Sequence, residues 1–300
     1  MSKIKYISVE QASQNWQISE RSVRNYCAQG RVEGALLEGK TWKIPSAAEK
    51  PDRKPRHSSA EETLLAFLKR EKDAGLKGGI YHKIQIDLTY NSNHIEGSKL
   101  THDQTRYIFE TKTLGVTDKA VKVDDIVETV NHFRCIDLVI EGANTKLTES
   151  FIKQLHFILK SGTTDSQKSW FKVGDYKMLE NEVGGSETTK PAEVAGAIKA
   201  LLKEYNSKSK ITFDDILDFH VRFESIHPFQ DGNGRVGRLI MFKECLKHNI
   251  VPFIITEELK MYYYRGIKNW KEERGFLRDT CLTGQDVMKD TLDCFGIRYE

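Results

Sequence analysis

The chain has 300 residues with 46 Lys and Arg against 43 Asp and Glu, a formal net charge of +3, which is enough for one good-sized core or for a moderate domain with a small appended one. No run approaches the roughly 18 apolar residues that a membrane span needs. The N-terminal "MSKIKYISVE" also lacks the apolar stretch of a secretory signal, so a membrane role is excluded and a cytoplasmic protein is expected. Cys27, Cys135, Cys245, Cys281 and Cys294 are odd in number, scattered and without a C-x-x-C pair, which argues for reduced, packed thiols rather than zinc or a disulfide framework.

The basic excess is local. Residues 1–56 hold eleven Lys and Arg against six Asp and Glu, a net of +5, so the remainder is slightly acidic. Within this segment "ISVEQASQNWQISERSVRNYCAQG" carries two short helical patterns split by "QIS"; Ser19 is placed to cap the second and Gly30 to end it. "RVEGALL" and "TWKIP" flank Glu38-Gly39-Lys40 and predict a β-hairpin. The next stretch, "SAAEKPDRKPRHSSAEE", has two prolines and no apolar periodicity, which predicts an extended linker over about 51–60.

Beyond the linker the chain is mainly α. Helical periodicity runs through 60–74, 81–95, 102–114, 123–141, 148–161, 192–206, 213–226, 234–248 and 257–270. Residues 170–190, "WFKVGDYKMLENEVGGSETTK", interrupt it with β-branched and aromatic residues and a Gly-Gly turn signal, predicting a short hairpin inside a helical domain.

"HPFQDGNGRVGR" at 227–238 concentrates the chemistry. Pro228 keeps His227 out of the αR region, ending a helix near Ile226. Gly232-Asn233-Gly234 then lets backbone N–H groups converge at the start of a new helix, an anion site suited to phosphates. Arg235 and Arg238 can hold a phosphate chain. Asp231 is a hard oxygen ligand, and one carboxylate suffices for Mg²⁺ that also binds nucleotide phosphates. His227 is the one group in the loop able to take a hydroxyl proton near neutral pH.

These residues match H-x-F-x-D/E-G-N-G-R-x-x-R at each specified position, and on them the chain resembles the Fic family over roughly residues 60–295. The resemblance implies a helical bundle with a β-hairpin flap occupying 61–298, and transfer of AMP from ATP to a Ser, Thr or Tyr hydroxyl of a protein, including self-modification. It implies His227 as base, Phe229 as the anchor of the motif loop and Asp231 on Mg²⁺. Gly232, Asn233 and Gly234 would bind phosphate through backbone and amide donors, beside Arg235 and Arg238. "NSNHIEGS" matches the family's S/T-x-x-x-E-G/N inhibitory motif through Ser92, Glu96 and Gly97, at the end of a helix over about 80–97. This implies a Glu96–Arg238 pair that leaves ATP in a pose unfit for attack. The segment at about 172–190 falls where the family docks its protein target by strand addition. Tyr263 and Tyr264 fall where the family has a pair near adenine, although Lys271 stands where several relatives have asparagine. His94, His220 and Cys245 read as structural.

Residues 1–50 resemble the small winged helix-turn-helix of excisionase and MerR-type proteins, chiefly in G-x-x-W-x-I-P at Gly39, Trp42, Ile44 and Pro45. That implies DNA contacts from Arg21, Ser22 and Arg24 on the second helix and from Lys40 and Lys43 on the wing. A single copy neutralises few phosphates, so DNA binding calls for a dimer, which Fic relatives often form. A protein-contact role is the competitor for this segment. The alternatives to AMP transfer are a DNA-binding regulator whose Fic domain senses nucleotide or dimerises, an AMP-removing enzyme, and a kinase, which Gly234 disfavours. The combined reading is a bacterial or phage-borne enzyme that represses its own promoter.

Overall fold

The computed structural model describes residues 5–28, 30–39, 41–51, 62–115, 120–183 and 185–299. The chain divides into two compact units, Met1–Ser58 and Ser59–Glu300.

In the first unit, α1 (Val9–Trp16) begins at a capping box. Ser8 Oγ accepts from the Gln11 N–H, and the Gln11 side chain accepts from the Ser8 N–H. A left-handed Gln17 ends it, and Ser19 Oγ accepts from the Ser22 N–H to start α2 (Glu20–Ala28). Strands β1 (Tyr6–Ile7), β2 (Leu36–Glu38) and β3 (Thr41–Pro45) form an antiparallel sheet in the order β1-β3-β2, with Leu37 opposite Trp42 across the expected hairpin. Val9, Ala12, Trp16, Val23, Cys27, Val32 and Ile44 make its core.

The second unit comprises α3 (Leu64–Asp73), α4 (Ile80–Ile95), α5 (His102–Thr111), α6 (Val123–Gly142), α7 (Glu149–Lys160), α8 (Pro191–Ser207), α9 (Phe213–Ile226), α10 (Asn233–Lys247), α11 (Glu257–Lys268) and α12 (Gly275–Phe295). The last helix lies outside the periodic segments recognised in the sequence. Its core residues Leu277, Cys281, Met288 and Leu292 alternate with Thr280, Thr283 and Gly284, which are weak helix formers, and packing against α11 and α9 overrides that propensity. The expected β segment is also smaller than its aromatic content suggested: β4 (Glu182–Val183) and β5 (Ser186–Glu187) have two residues each, and 170–181 is largely turns.

Helix α10 organises the unit. Arg235 through Leu246 are all buried, because α3, α4, α6, α7 and α9 pack around it. Its polar side chains therefore need partners inside the protein. Lys243 donates to the carbonyls of Ala143 and Thr145 and to Glu244, whose other oxygen accepts from Tyr205. Helix α4 is registered on α6 by a polar seam of one residue per turn. Gln85 donates to Asp137, Thr89 shares a hydrogen bond with His132, and Asn93 donates to Thr129. That register carries Ser92 and Glu96 to the N-terminal end of α10. Among the described residues no helix is long and apolar enough to cross a membrane.

Candidate active site at the N-terminus of α10

Helix α9 is capped at its start by a Thr212–Asp215 box and ends at Ile226. Pro228 does exclude αR for the residue before it, but His227 adopts the left-handed region, φ 50° and ψ 63°, rather than extended backbone. Its N–H still donates to Phe223 O at 2.9 Å, so the chain turns sharply at the histidine. Two residues on, Phe229 is fully buried and its ring lies flat on His156, with centroids 3.9 Å apart and 6° between planes.

The Asn233 side chain is committed to this loop. Its Oδ1 accepts from the Phe229 N–H and its Nδ2 donates to Phe229 O, both at 2.8 Å. The amide therefore closes the 229–233 turn through its oxygen and one of its two Nδ2 hydrogens. Gly232, at φ 84°, occupies the N-cap of α10, and no side chain caps the helix there. First-turn N–H groups have no intrahelical acceptor, so this end carries the positive pole of the helix.

Both motif arginines are held by carboxylates. Arg238 Nε donates to Ser92 Oγ at 3.0 Å, and its Nη2 donates to Ser92 O at 2.9 Å and Glu96 Oε1 at 2.6 Å. Arg235 pairs with Glu128 and, at 3.4 Å, with Asp231. Gly234 is required for the close approach of Glu96: a β-carbon there would collide with Glu96 Oε1. The Glu96 carboxylate thus sits against the first turn of α10, where an anion is favoured. Burial alone would raise its pKa, but Arg238 and Arg235 hold it below the usual carboxylate value. Gly97, at φ 96°, turns the chain away after it.

Sequence reasoning missed four side chains that shape this site. Lys160, at the end of α7, is 2% exposed and reaches Glu128, Asp231 at 2.6 Å and Asp165 at 3.6 Å. Burial opposes its charge, but Asp231 and Glu128 raise its pKa. Burial would raise Asp231 too, yet Arg235 and Lys160 hold it well below the usual range, so it is ionised. Lys160 and Arg235 both contact Asp231 Oδ2, and the side chain is 47% exposed. Glu128, on α6, bridges Lys160 and Arg235. His156 accepts the Gly174 N–H on Nδ1 at 2.9 Å, so Nε2 carries the proton toward Asp231 O at 3.2 Å; burial lowers its pKa to about 3 and keeps it neutral. Lys177 is the fourth. No local motif marks any of these residues, because each meets the loop across tens of positions in sequence.

His227 is half-buried and its Nδ1 has no partner of normal hydrogen-bond geometry. Burial first, and the Lys177 charge second, lower its pKa to about 4, against the Glu224 carbonyl. The imidazole is therefore neutral at physiological pH and able to accept a proton. Tyr263 is turned inward, 1% exposed, with its hydroxyl 2.5 Å from His220 Nε2, which makes it a core residue rather than an open aromatic face. Tyr264 is half-exposed, and burial raises its pKa to about 12, with Glu96 adding to the rise. Cys245 is fully buried.

The arrangement brings a neutral base, an uncapped helix N-terminus, two arginines and an ionised carboxylate to one place. Residues 146–245 match the Fic/DOC family. That span holds the hairpin and the 227–238 motif and leaves out Ser92, Glu96 and the tyrosine pair. Among curated proteins, the chain is 27% identical over 244 residues to "Protein adenylyltransferase Fic" of Aedes aegypti, covering 79% of this chain and 45% of that protein. It is 26% identical over 252 residues to the protein of the same name from Drosophila grimshawi, covering 81% and 48%. The chain spans about half the length of the curated relatives it matches. Among solved structures, a Fic domain containing signaling protein from Bacteroides thetaiotaomicron VPI-5482 gives a TM-score of 0.61 at 23% identity, over 79% of this chain and 98% of that one. A Fic family protein from Desulfovibrio desulfuricans G20 gives 0.57 at 19% identity, over 77% and 72%. The helical bundle therefore has a Fic-like fold.

In the N-terminal unit, Arg24 is half-exposed and paired with Glu20, and Lys43 lies 3.9 Å from Glu38. The Ser22 and Ser19 hydroxyls share a hydrogen bond at 2.9 Å. Lys40 and the Arg21 side chain lie outside the described residues, as does most of the expected linker.

Proposed function

We propose that the protein transfers AMP from ATP to a hydroxyl of a protein target, and that Glu96 holds this activity down. The observation that carries the reading is the Glu96 carboxylate seated between Arg238 and the first turn of α10. This is the place the site's charge makes for a phosphate. The names of the curated relatives support the same chemistry.

In the reaction the target hydroxyl oxygen attacks the α-phosphorus and His227 takes its proton. The bond from that phosphorus to the bridging oxygen breaks and pyrophosphate leaves. Backbone N–H groups at the start of α10, with Arg235 and Arg238, receive the charge that shifts toward the leaving group. Among the described residues no group of three or more His, Cys, Asp or Glu side chains could hold a metal on its own. The ionised, half-exposed Asp231 carboxylate fits Mg²⁺ that also binds nucleotide phosphates. Such an ion would supply further charge neutralisation at the phosphates. Lys160 and Glu128 keep Asp231 and Arg235 in place.

The test is label transfer from Mg²⁺-ATP to lysate proteins, with α-labelled and γ-labelled nucleotide in parallel. Label from the α position alone supports AMP transfer, and label from the γ position alone would mean a kinase. Absence of label from every variant described below would leave the DNA-binding sensor as the better reading.

We further propose that the N-terminal unit binds DNA. It pairs a capped second helix with an antiparallel hairpin, and Arg24 and Lys43 stay half-exposed despite their acidic neighbours. The expected result is binding of the full-length protein to duplex DNA that weakens at least about tenfold between 50 and 200 mM salt. Arg24→Ala should flatten the salt dependence by about one counterion. Salt-insensitive or absent binding, at concentrations where a dimer would form, favours the protein-contact role instead.

A further inference from the structure

Lys177 is 3% exposed, yet its hydrogen bonds go only to neutral acceptors: Asn181 Oδ1 at 2.7 Å, Thr188 Oγ1 at 2.6 Å and Ile226 O at 3.5 Å. A buried ammonium without a paired acid is costly, and a neutral side chain would fill the space at lower cost. The geometry shows what the charge holds together. Asn181 and Thr188 flank the β4–β5 hairpin on either side, and Thr188 Oγ1 donates to Asn181 as well. Ile226 precedes His227, and the Lys177 main-chain N–H donates to Pro228 O, just after His227, at 2.9 Å. One residue therefore grips the carbonyls on both sides of the left-handed histidine. Asn181 Nδ2 adds a bond to Phe229 O, and Leu179 N–H one to the Gln230 side chain.

We propose that Lys177 is a positioning residue that couples the flap hairpin to His227, so that an extended polypeptide docked on the hairpin is set in register with the base. Left-handed backbone is strained for a non-glycine residue, and a turn of that kind persists only where its surroundings hold it. Lys177 supplies two of those constraints from the element that would carry the target. The inference rests on the reading of His227 as base in hydroxyl modification.

The charge has a second consequence. His227 is faced by Lys177 from the flap, by the Glu224 carbonyl from α9, by Asp231 from its own loop and by Glu96 from α4. Glu180 is the acid that acts on Lys177, whose own pKa burial lowers to about 8. Lys177 thus makes His227 a weaker base while fixing its position. The two effects oppose each other in a variant, which makes them separable.

The experiment uses full-length protein labelled at histidine, with His227 assigned by difference from His227→Asn, and compares Lys177→Met with Lys177→Arg. In Lys177→Met the His227 pKa should rise by about one pH unit, while target modification slows at least about tenfold in kcat/KM, so that the stronger base is the slower one. Lys177→Arg should leave the His227 titration near that of the wild type. Faster modification tracking the higher basicity, or an unchanged His227 titration in Lys177→Met, would overturn the proposal.

If the methionine variant does not fold, the wild type carries the test. The His227 resonance should move in step with Lys177 as that lysine loses its proton near 8, and a Lys177 titrating at its ordinary 10.5 without effect on His227 would refute the coupling. These titrations need no nucleotide. A positive result without any label transfer would keep the Lys177–His227 coupling and remove the AMP-transfer reading alone.

Discussion

Glu96→Gly is expected to raise α-label incorporation at least about tenfold over wild type, the factor that about 1.4 kcal/mol of barrier produces. The side chain makes one strong contact, with Arg238, and stands against the first turn of α10 where a phosphate would go. Removing it frees the guanidinium of its carboxylate, while Ser92 still holds Nε and Nη2 from the other side. The arginine should therefore stay in place and become available to the nucleotide. Position 96 is the C-cap of α4, at φ −84°, where glycine costs the fold little. The effect should appear as activity rather than as a change in stability. Equal incorporation by the two proteins at matched nucleotide and target would remove Glu96 as the restraint.

Acidification should not substitute for the mutation. Because the Glu96 pKa is depressed, the ion pair is complete above the ordinary carboxylate range and is lost only as pH falls through the lowered folded value. His227 protonates at about 4 over the same acidic span, and a protonated imidazole cannot accept the target's proton. Relief of the restraint and loss of the base thus overlap, and wild type should show no activation in moderate acid.

The site divides sharply into what a linear reading can and cannot reach. Residues 227–238 are contiguous, and their types state their chemistry: a permissive glycine pair, two arginines, a carboxylate and a histidine. Glu96 was reachable because its pairing with Arg238 follows a short motif. Lys160, Glu128, His156 and Lys177 were not. In sequence a lysine near the end of a helix reads as solvated, and a histidine on an apolar face reads as core. Only the packing of α6 and α7 around α10, and for Lys177 the course of the 170–181 segment along the loop, brings those polar groups together. The same packing gives Asn233 a task that its sequence context does not show. Its amide looks free beside two glycines, but the buried Phe229 backbone needs both a donor and an acceptor, and Asn233 satisfies them. Helix α12 escaped for another reason, since its stability comes from burial against α11 and not from the residues' own preference. In the N-terminal unit the caps and the hairpin were legible, because Ser19, Gly30 and Gly39 act locally.

His227→Asn is expected to lower AMP transfer by about 10²–10⁴-fold, the usual contribution of a positioned base. Asparagine is the informative replacement, because it tolerates the left-handed backbone that His227 adopts and alanine does not. A loss in His227→Asn with an unchanged melting temperature then isolates the proton transfer from the turn. The pH profile makes a second, independent demand. The base must be neutral, so kcat/KM, which reports the free enzyme, should fall as pH drops through about 4. Bound nucleotide places negative charge beside the ring and favours the imidazolium, so the corresponding limb in kcat should lie at higher pH. The order of those two limbs follows from burial in the free protein and charge in the complex. A single acid limb near the ordinary histidine value in both parameters would mean that the imidazole is solvated when it works, and that burial does not set its basicity.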